Sequence, residues 1–384
     1  MYEPEFLRDA QRQLTVCNAC RYCEGYCAVF PALELRAEVG AGDLTYLANL
    51  CHDCRDCYTA CMFTPPHEFA INIPKVLAAA RVRTYEHYGR PRDAGLFRRS
   101  VAATAAISLG GIAAVWLAIA AFVGPGVLTT AHRGPGAFYA VAPWLAIIVP
   151  ALALALYGVG VALAGGWEFA RDIRGAPPSG GPRPDASPLR APLPGGDLRP
   201  APVAWRATLD ALTLRFLKGG GAGCYYPRKR GSSARRILHH LVAGGFLAAL
   251  ISTTVAAIEQ DILGRMPPFP VLSLPVAFGT AGGVLLIIGT TGLVVLKIRS
   301  DAAPASPAMT AMDYAFLVLL DLVAITGMLL LVLRDTRFMP AVLVVHLGLL
   351  VGLFVTAPYG KFVHFVYRYL ALVRRAGEEH LEAG

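Results

Sequence analysis

Two stretches, Cys17-Asn18-Ala19-Cys20-Arg21-Tyr22-Cys23-Glu24-Gly25-Tyr26-Cys27 and Cys51-His52-Asp53-Cys54-Arg55-Asp56-Cys57-Tyr58-Thr59-Ala60-Cys61, decide how this chain is read. Both have the spacing C-x-x-C-x-x-C-x-x-x-C, which gathers three thiolates on one tight loop and throws the fourth beyond reach of the same metal centre. Zinc sites usually present two C-x-x-C knuckles, so a third cysteine at the same step is surplus to a tetrahedral ion. Disulfides would need an oxidising compartment. No cleavable signal peptide precedes the cysteines, and a reduced, cytoplasm-facing location is expected. Ala28 and Met62 stand directly after the fourth cysteines, where proline is usual; Pro31 and Pro65 follow and end the loops.

In bacterial-type two-cluster ferredoxins the fourth cysteine of each run ligates the other cluster. The assignment that follows is Cys17, Cys20 and Cys23 with Cys61 for one [4Fe-4S] cluster, and Cys51, Cys54 and Cys57 with Cys27 for its neighbour. The 23 residues between the runs suffice for one helical connection that sets them side by side. Of nine cysteines only Cys224 lies outside the runs, as an incidental loop thiol.

With 55% hydrophobic and 16% charged residues among 384, the chain is too apolar for an ordinary soluble protein. Six stretches meet the roughly 20-residue requirement for crossing a bilayer: Val101 to Val123, Val141 to Gly165, Ile237 to Ile258, Val276 to Leu296, Tyr314 to Leu333 and Ala341 to Ala357. A short polar helix from Met1 to about Leu14 leads into the first run, and a helix from about Pro74 to His87 closes the cysteine domain. The net charge of +9 does not indicate nucleic acid, because the basic residues follow membrane topology. From Arg81 onward one side holds twenty-five Lys and Arg, among them Arg81, Arg83, Arg98, Arg99, Arg228, Lys229, Arg235, Arg236, Lys297, Lys361 and Arg368; the other holds four, Arg133, Arg265, Arg334 and Arg337. That asymmetry puts the cysteine domain and the carboxyl-terminal segment in the cytoplasm of a multi-pass protein of the bacterial inner membrane. The expected fold is mainly α: a two-[4Fe-4S] ferredoxin-like helical domain (1–93), two spans (94–166), a basic Pro/Gly-rich loop (167–236), and four spans with a tail (237–384), the six spans forming a bundle of cytochrome b type. Within the loop, Trp205 to Leu217 reads as an amphipathic helix on the membrane surface.

Histidines inside a membrane are costly and functional by default. His239 and His240 begin the third span; His346 and His364 are eighteen residues apart, about 27 Å along a continuous helix that Pro358 bends. Two neutral imidazoles on facing helices are what a b-type haem needs. His240 lies about 6 Å inside the cytoplasmic edge, and His364 returns to that edge after about 36 Å of helix. The depth match predicts one haem bridging His240 and His364, with His239 the alternative to His240. His346, near the outer end, has no partner at its depth and reads as a second-site or quinone-side residue. Asp321, in the fifth span, is a candidate proton donor to reduced quinone, or else only hydrogen-bonds a neighbouring helix.

The cysteine runs, the Arg235-Arg236-Ile237-Leu238-His239-His240 segment and Ala357-Pro358-Tyr359-Gly360-Lys361-Phe362-Val363-His364-Phe365-Val366-Tyr367-Arg368 together resemble the tricarballylate (citrate) utilization protein B family over nearly the whole chain. The carboxyl-terminal segment also resembles the cytochrome b subunit of respiratory nitrate reductase; the position ten beyond His240 is Leu250 rather than a second histidine, which supports one haem. The resemblance implies an electron-transfer subunit that takes electrons from a soluble flavoprotein dehydrogenase of tricarballylate type and delivers them to quinone. Rival readings are a subunit of another quinone-linked reductase, heterodisulfide reductase-like or related to cobalamin biosynthesis, and a zinc-stabilised membrane scaffold. No G-x-G-x-x-G after a strand appears, so any flavin belongs to the partner.

Overall fold

The computed structural model describes residues 1–92, 100–174, 200–218, 223–225 and 230–383. Helix α1 (Pro4–Cys20) opens on a proline, whose missing N–H costs nothing in a first turn. With neither glycine nor proline after Leu14 to stop it, α1 runs past the expected end and carries Cys17 and Cys20 on its last turn. Helices α2 (Val29–Glu34), α3 (Ala41–Leu50), α4 (Asp56–Ala60) and α5 (Ile73–Tyr88) complete the cysteine domain. The Asn72 side chain caps α5 by accepting from the Lys75 backbone N–H at 3.3 Å. Leu14, Leu33, Leu44, Leu47, Leu50 and Leu77 are almost wholly buried at the centre of this domain.

The membrane part comprises α6 (Ser100–Phe122), the short α7 (Ala137–Val141), α8 (Trp144–Arg174), α9 (Pro200–Leu212), α10 (Ala234–Asp261), α11 (Leu274–Ile298), α12 (Pro307–Leu333), α13 (Met339–Thr356) and α14 (His364–Ala383). Six helices among the described residues are long and apolar enough to cross a membrane: α6, α8, α10, α11, α12 and α13 with the turn that continues it to Tyr359. They pack in the order α10, α11, α12, α13, α6, with α8 against α13. Helix α8 remains helical through Arg174, so the expected irregular loop starts later than residue 167; residues 175–199 of that loop, together with Arg98, Arg99, Arg228 and Lys229, lie outside the described residues. The expected surface helix begins at Pro200 instead of Trp205. It lies on α14, with Val203 and Ala207 buried and Thr208 Oγ1 at 3.1 Å from the Tyr369 hydroxyl, while Trp205 and Leu212 are exposed.

In lipid, helices gain little from apolar burial and associate through close backbone approach at small residues. Gly245 and Gly282 lock α10 to α11: a Cβ on either would come within 2.9 Å of the other's carbonyl oxygen. Gly111 on α6 meets the Gly348 carbonyl of α13 in the same way, at 2.7 Å. Gly282→Ala should therefore cost about 1–3 kcal/mol of overpacking, read as a lower thermal aggregation midpoint in detergent. Gly244→Ala, whose added methyl meets nothing within 4 Å, should leave the midpoint where it is. An equal fall in both would refute the packing argument.

The continuous sixth helix expected from Pro340 to His364 is not formed. Helix α13 stops at Thr356, a 3-10 turn spans Ala357–Tyr359, Gly360 is extended (φ -110, ψ -162), and a second 3-10 turn, Lys361–Val363, leads into α14. Pro358 has no N–H to continue the ladder, and Gly360 takes the extended backbone that redirects the chain. Helix α14 then turns along the cysteine domain, touching α3, α8 and α9.

The cysteine domain is fastened to the bundle by buried polar groups. Arg36 binds Asp43 (2.6 Å) and Glu378 (2.7 Å), and Glu378 also accepts from the Tyr46 hydroxyl at 2.8 Å. Tyr85, Tyr88, Phe169 and Tyr367 form an aromatic cluster that joins α5, α8 and α14, with centroids 5.2 to 5.9 Å apart.

Candidate metal centres

The two cysteine runs fold by one local device. In each, an arginine follows the second cysteine and takes the left-handed conformation, Arg21 at φ 55 and Arg55 at φ 68. This costs a non-glycine residue roughly 1–2 kcal/mol. The kink turns the chain back so that the third cysteine faces the first two. The shared Cys-Arg-x-Cys sequence, Cys20 to Cys23 and Cys54 to Cys57, is a repeat within the motif that spacing alone does not capture.

Cys17, Cys20, Cys23, Cys61 and Cys57 line one cavity, with Val16, Tyr22, Phe30, Met62, Phe63, Ile71 and Ile73 among its walls. Burial first, then the neighbouring sulfurs of Cys61 and Cys23, pushes the Cys17 thiol up to about 12; Cys23 is raised similarly by burial and by Cys61 and Cys20. The second group is more deeply buried. Burial and then Cys51 raise Cys27 to about 12; burial and the sulfurs of Cys54, Cys27 and Cys51 raise Cys57 well above the ordinary thiol range. Cys27 is thus grouped with the second run and Cys61 with the first.

Several sulfurs also receive backbone N–H groups: from Val29 and Phe30 to Cys27, from Asp56 to Cys54, from Asp53 to Cys51 at 3.4 Å, and from Phe63 to Cys61 at 3.3 Å. Buried thiols crowded in this way hold their protons at neutral pH. Amide donors aimed at sulfur, and a cationic centre to displace the protons, are what a cluster of thiolate ligands requires. The donor set fits iron–sulfur clusters. Among the described residues no three His, Cys, Asp or Glu side chains close around a single metal ion.

The second group sits directly above the histidines at the bundle's end. Arg368 Nη2 donates to the Cys51 carbonyl at 2.8 Å and Arg235 Nη1 to the Asp53 carbonyl at 2.5 Å. These arginines lie one helical turn from His364 and from His239. The two imidazoles lie edge-on to one another, with centroids 6.1 Å apart and planes at 80°. Two imidazoles each about 2.0 Å from one metal would have centroids roughly 6 Å apart, so His239 and His364 are the residues that would hold a metal at this end of the bundle. His364 Nδ1 lies 2.7 Å from the Lys361 carbonyl, which can only accept, so Nδ1 carries the proton and Nε2 keeps its lone pair. Burial, then Lys361 and Arg368, holds His364 well below the usual histidine range, in its neutral, ligating form. His239 Nδ1 and Arg368 Nε are buried and have no hydrogen-bond partner among the described residues.

The geometry brings His239, the alternative expected from the sequence, against His364 in place of His240. His240 is exposed, and both its ring nitrogens lie against carbonyl oxygens, Nδ1 at 2.9 Å from Arg236 and Nε2 at 3.1 Å from Leu212, so a metal at either nitrogen would have to displace a carbonyl. Adjacent helical residues point about 100° apart, so only one of the two can face α14, and it is His239. His346 stands apart on α13, its Nδ1 at 2.9 Å from Thr326 Oγ1. Asp321 accepts from the Thr290 and Thr291 hydroxyls of α11 at 2.7 and 3.0 Å, binding α12 to its neighbour. Cys224 is not an idle loop thiol: it is fully buried against Cys54 and Leu217. It sits in a two-stranded hairpin, β1 (Cys224–Tyr225) with β2 (Gly231–Ser232), whose Tyr225 N–H donates to the Cys54 carbonyl at 3.1 Å.

Comparison with known proteins gives two family matches. Residues 10–87 match the family model for the citrate utilization protein B Fer4-like domain, and residues 98–384 match that for citrate utilization protein B. Citrate utilization protein B of Escherichia coli is 38% identical over 378 residues, covering 98% of this chain and 93% of that protein. No solved structure matches. The chain belongs to the citrate utilization protein B family, with a Fer4-like amino-terminal domain followed by a helical part long and apolar enough for a multi-pass membrane protein.

Proposed function

We propose that this protein is a membrane-anchored electron conduit that accepts electrons from a reduced soluble flavoprotein and delivers them to quinone. The observation that carries the reading is the stacking of two four-cysteine groups over the His239–His364 pair at one end of the bundle. Cys17, Cys20, Cys23 and Cys61 would hold the outer [4Fe-4S] cluster, Cys27, Cys51, Cys54 and Cys57 the inner one, and His239 with His364 a b-type haem. When bound, these groups supply one-electron carriers between a two-electron flavin and a two-electron quinone. The chain's residues fix the order of the sites. Cys20 is exposed, whereas Cys51 and Cys54 are buried beside α10 and α14. The donor therefore docks at the outer group, where Tyr22 and Met62 are exposed. Asp321 is the candidate proton donor for quinone chemistry. The excess of basic residues on the cysteine side supports a cytoplasmic position for this end, with the bundle in the bacterial inner membrane.

The test is the full-length protein purified anaerobically in detergent. The expected result is about eight irons per chain in two clusters plus one haem, with dithionite-reduced haem reoxidised by added ubiquinone or menaquinone. A colourless protein with stoichiometric zinc would establish the scaffold reading in its place.

A further inference from the structure

The two cysteine groups stand in different electrostatic surroundings. Around the loop from Cys51 to Cys54, three guanidiniums converge on backbone carbonyls. Arg81 donates to Ala48 at 2.8 Å and to Cys51, Arg368 to the same Cys51 carbonyl, and Arg235 to Asp53. Arg81 is only 2% exposed and comes from α5, whereas Arg235 and Arg368 come from the helices that bear the histidine pair. Of the acids in this run, Asp53 is set against Arg55 at 3.9 Å, and Asp56 stands between Cys54 and Cys57. At the outer group Arg21 is turned out to solvent, its Nε on the Asn18 carbonyl.

We propose that Arg81, Arg235 and Arg368 form a cationic clamp that seats the inner cysteine group on the histidine-bearing helices and makes it the more easily reduced of the two. The proposal rests on the cluster reading above. Moving one electron from the outer site to the inner leaves the total charge unchanged and carries one negative charge into the neighbourhood of three guanidiniums. In a dry interior this favours the inner site. Reduction is thereby directed toward the membrane by residues that touch no sulfur. Arg235 and Arg368 also cross between loop and helix, so the same contacts fix the distance from the inner group to His239 and His364.

The experiment is an EPR-monitored redox titration of anaerobic full-length protein. Cys20→Ser identifies the outer signal by its loss. In the unaltered protein the inner signal is expected to appear at the higher potential. Arg368→Gln and Arg235→Gln should each lower the inner midpoint, leave the outer one in place, and slow haem reduction by dithionite at least severalfold. Arg368→Lys, which restores charge but not the fork, should return most of the midpoint. Should Arg368→Gln lose iron, Arg235→Gln decides, because its contact is to Asp53 and not to a cysteine. Equal shifts of both signals, no shift, or an outer midpoint at or above the inner would overturn the clamp. A protein with no clusters would instead defeat the functional reading on which it rests.

Discussion

His239→Ala and His364→Ala should each strip the b-type haem spectrum from the purified protein, while His240→Ala and His346→Ala retain it. A haem held by two histidines needs a nitrogen lone pair from each, and among the described residues His239 and His364 lie together, 6.1 Å between centroids. His240 directs both nitrogens at carbonyl oxygens, and His346 stands apart from this pair, on α13 beside Thr326 of α12. Loss of one axial ligand removes about half of the protein's covalent hold on the iron, so near-complete loss is expected in detergent. The check is the haem-to-protein ratio with the reduced-minus-oxidised spectrum. Haem lost from His240→Ala and kept in His239→Ala would restore the pairing expected from depth, and two haems per chain in the unaltered protein would reveal a ligand elsewhere.

A second large effect concerns crossed ligation. Cys61→Ser should lose the same EPR signal as Cys17→Ser, and Cys27→Ser the same as Cys54→Ser, each with roughly half of the iron if the chain carries two four-iron clusters. The grouping of Cys61 with Cys17, Cys20 and Cys23 around one cavity, and of Cys27 with Cys51, Cys54 and Cys57, is the basis. If each run served its own cluster, Cys27→Ser would match Cys17→Ser. The two patterns cannot be confused, because the fourth cysteine of each run changes its partner signal.

What the sequence disclosed follows from where its chemistry is local. The cysteine spacings and apolar runs are short-range signals, and the helices they imply lie close to the expected bounds. The break after Thr356 was also legible in principle, since Pro358 and Gly360 stand two residues apart. The choice between His239 and His240 was not. In a soluble helix the buried face is marked by its apolar stripe, but lipid is as apolar as a protein core. The face of α10 bearing His239, Val242, Phe246 and Ala249 therefore reads no differently from the face bearing His240 and the exposed Leu247. The rotation of α10 is set by Gly245 and Gly289 against α11, tertiary contacts with no local signature. The arginine contacts to the Cys51 loop are illegible for the same reason: Arg368 reaches it across 317 residues of chain.

The buried bond between Arg36 and Glu378, 342 residues apart, also sets an order of assembly. During synthesis the cysteine domain emerges first, yet its seat on the bundle is finished only after the ribosome has passed residue 378 and α14 can fold down. For the whole of that interval the cysteine domain lacks its α14 contacts, and the carbonyls of the Cys51 loop have not met Arg368. The contacts between α14 and the Cys51 loop therefore form only after all six long apolar helices have been made.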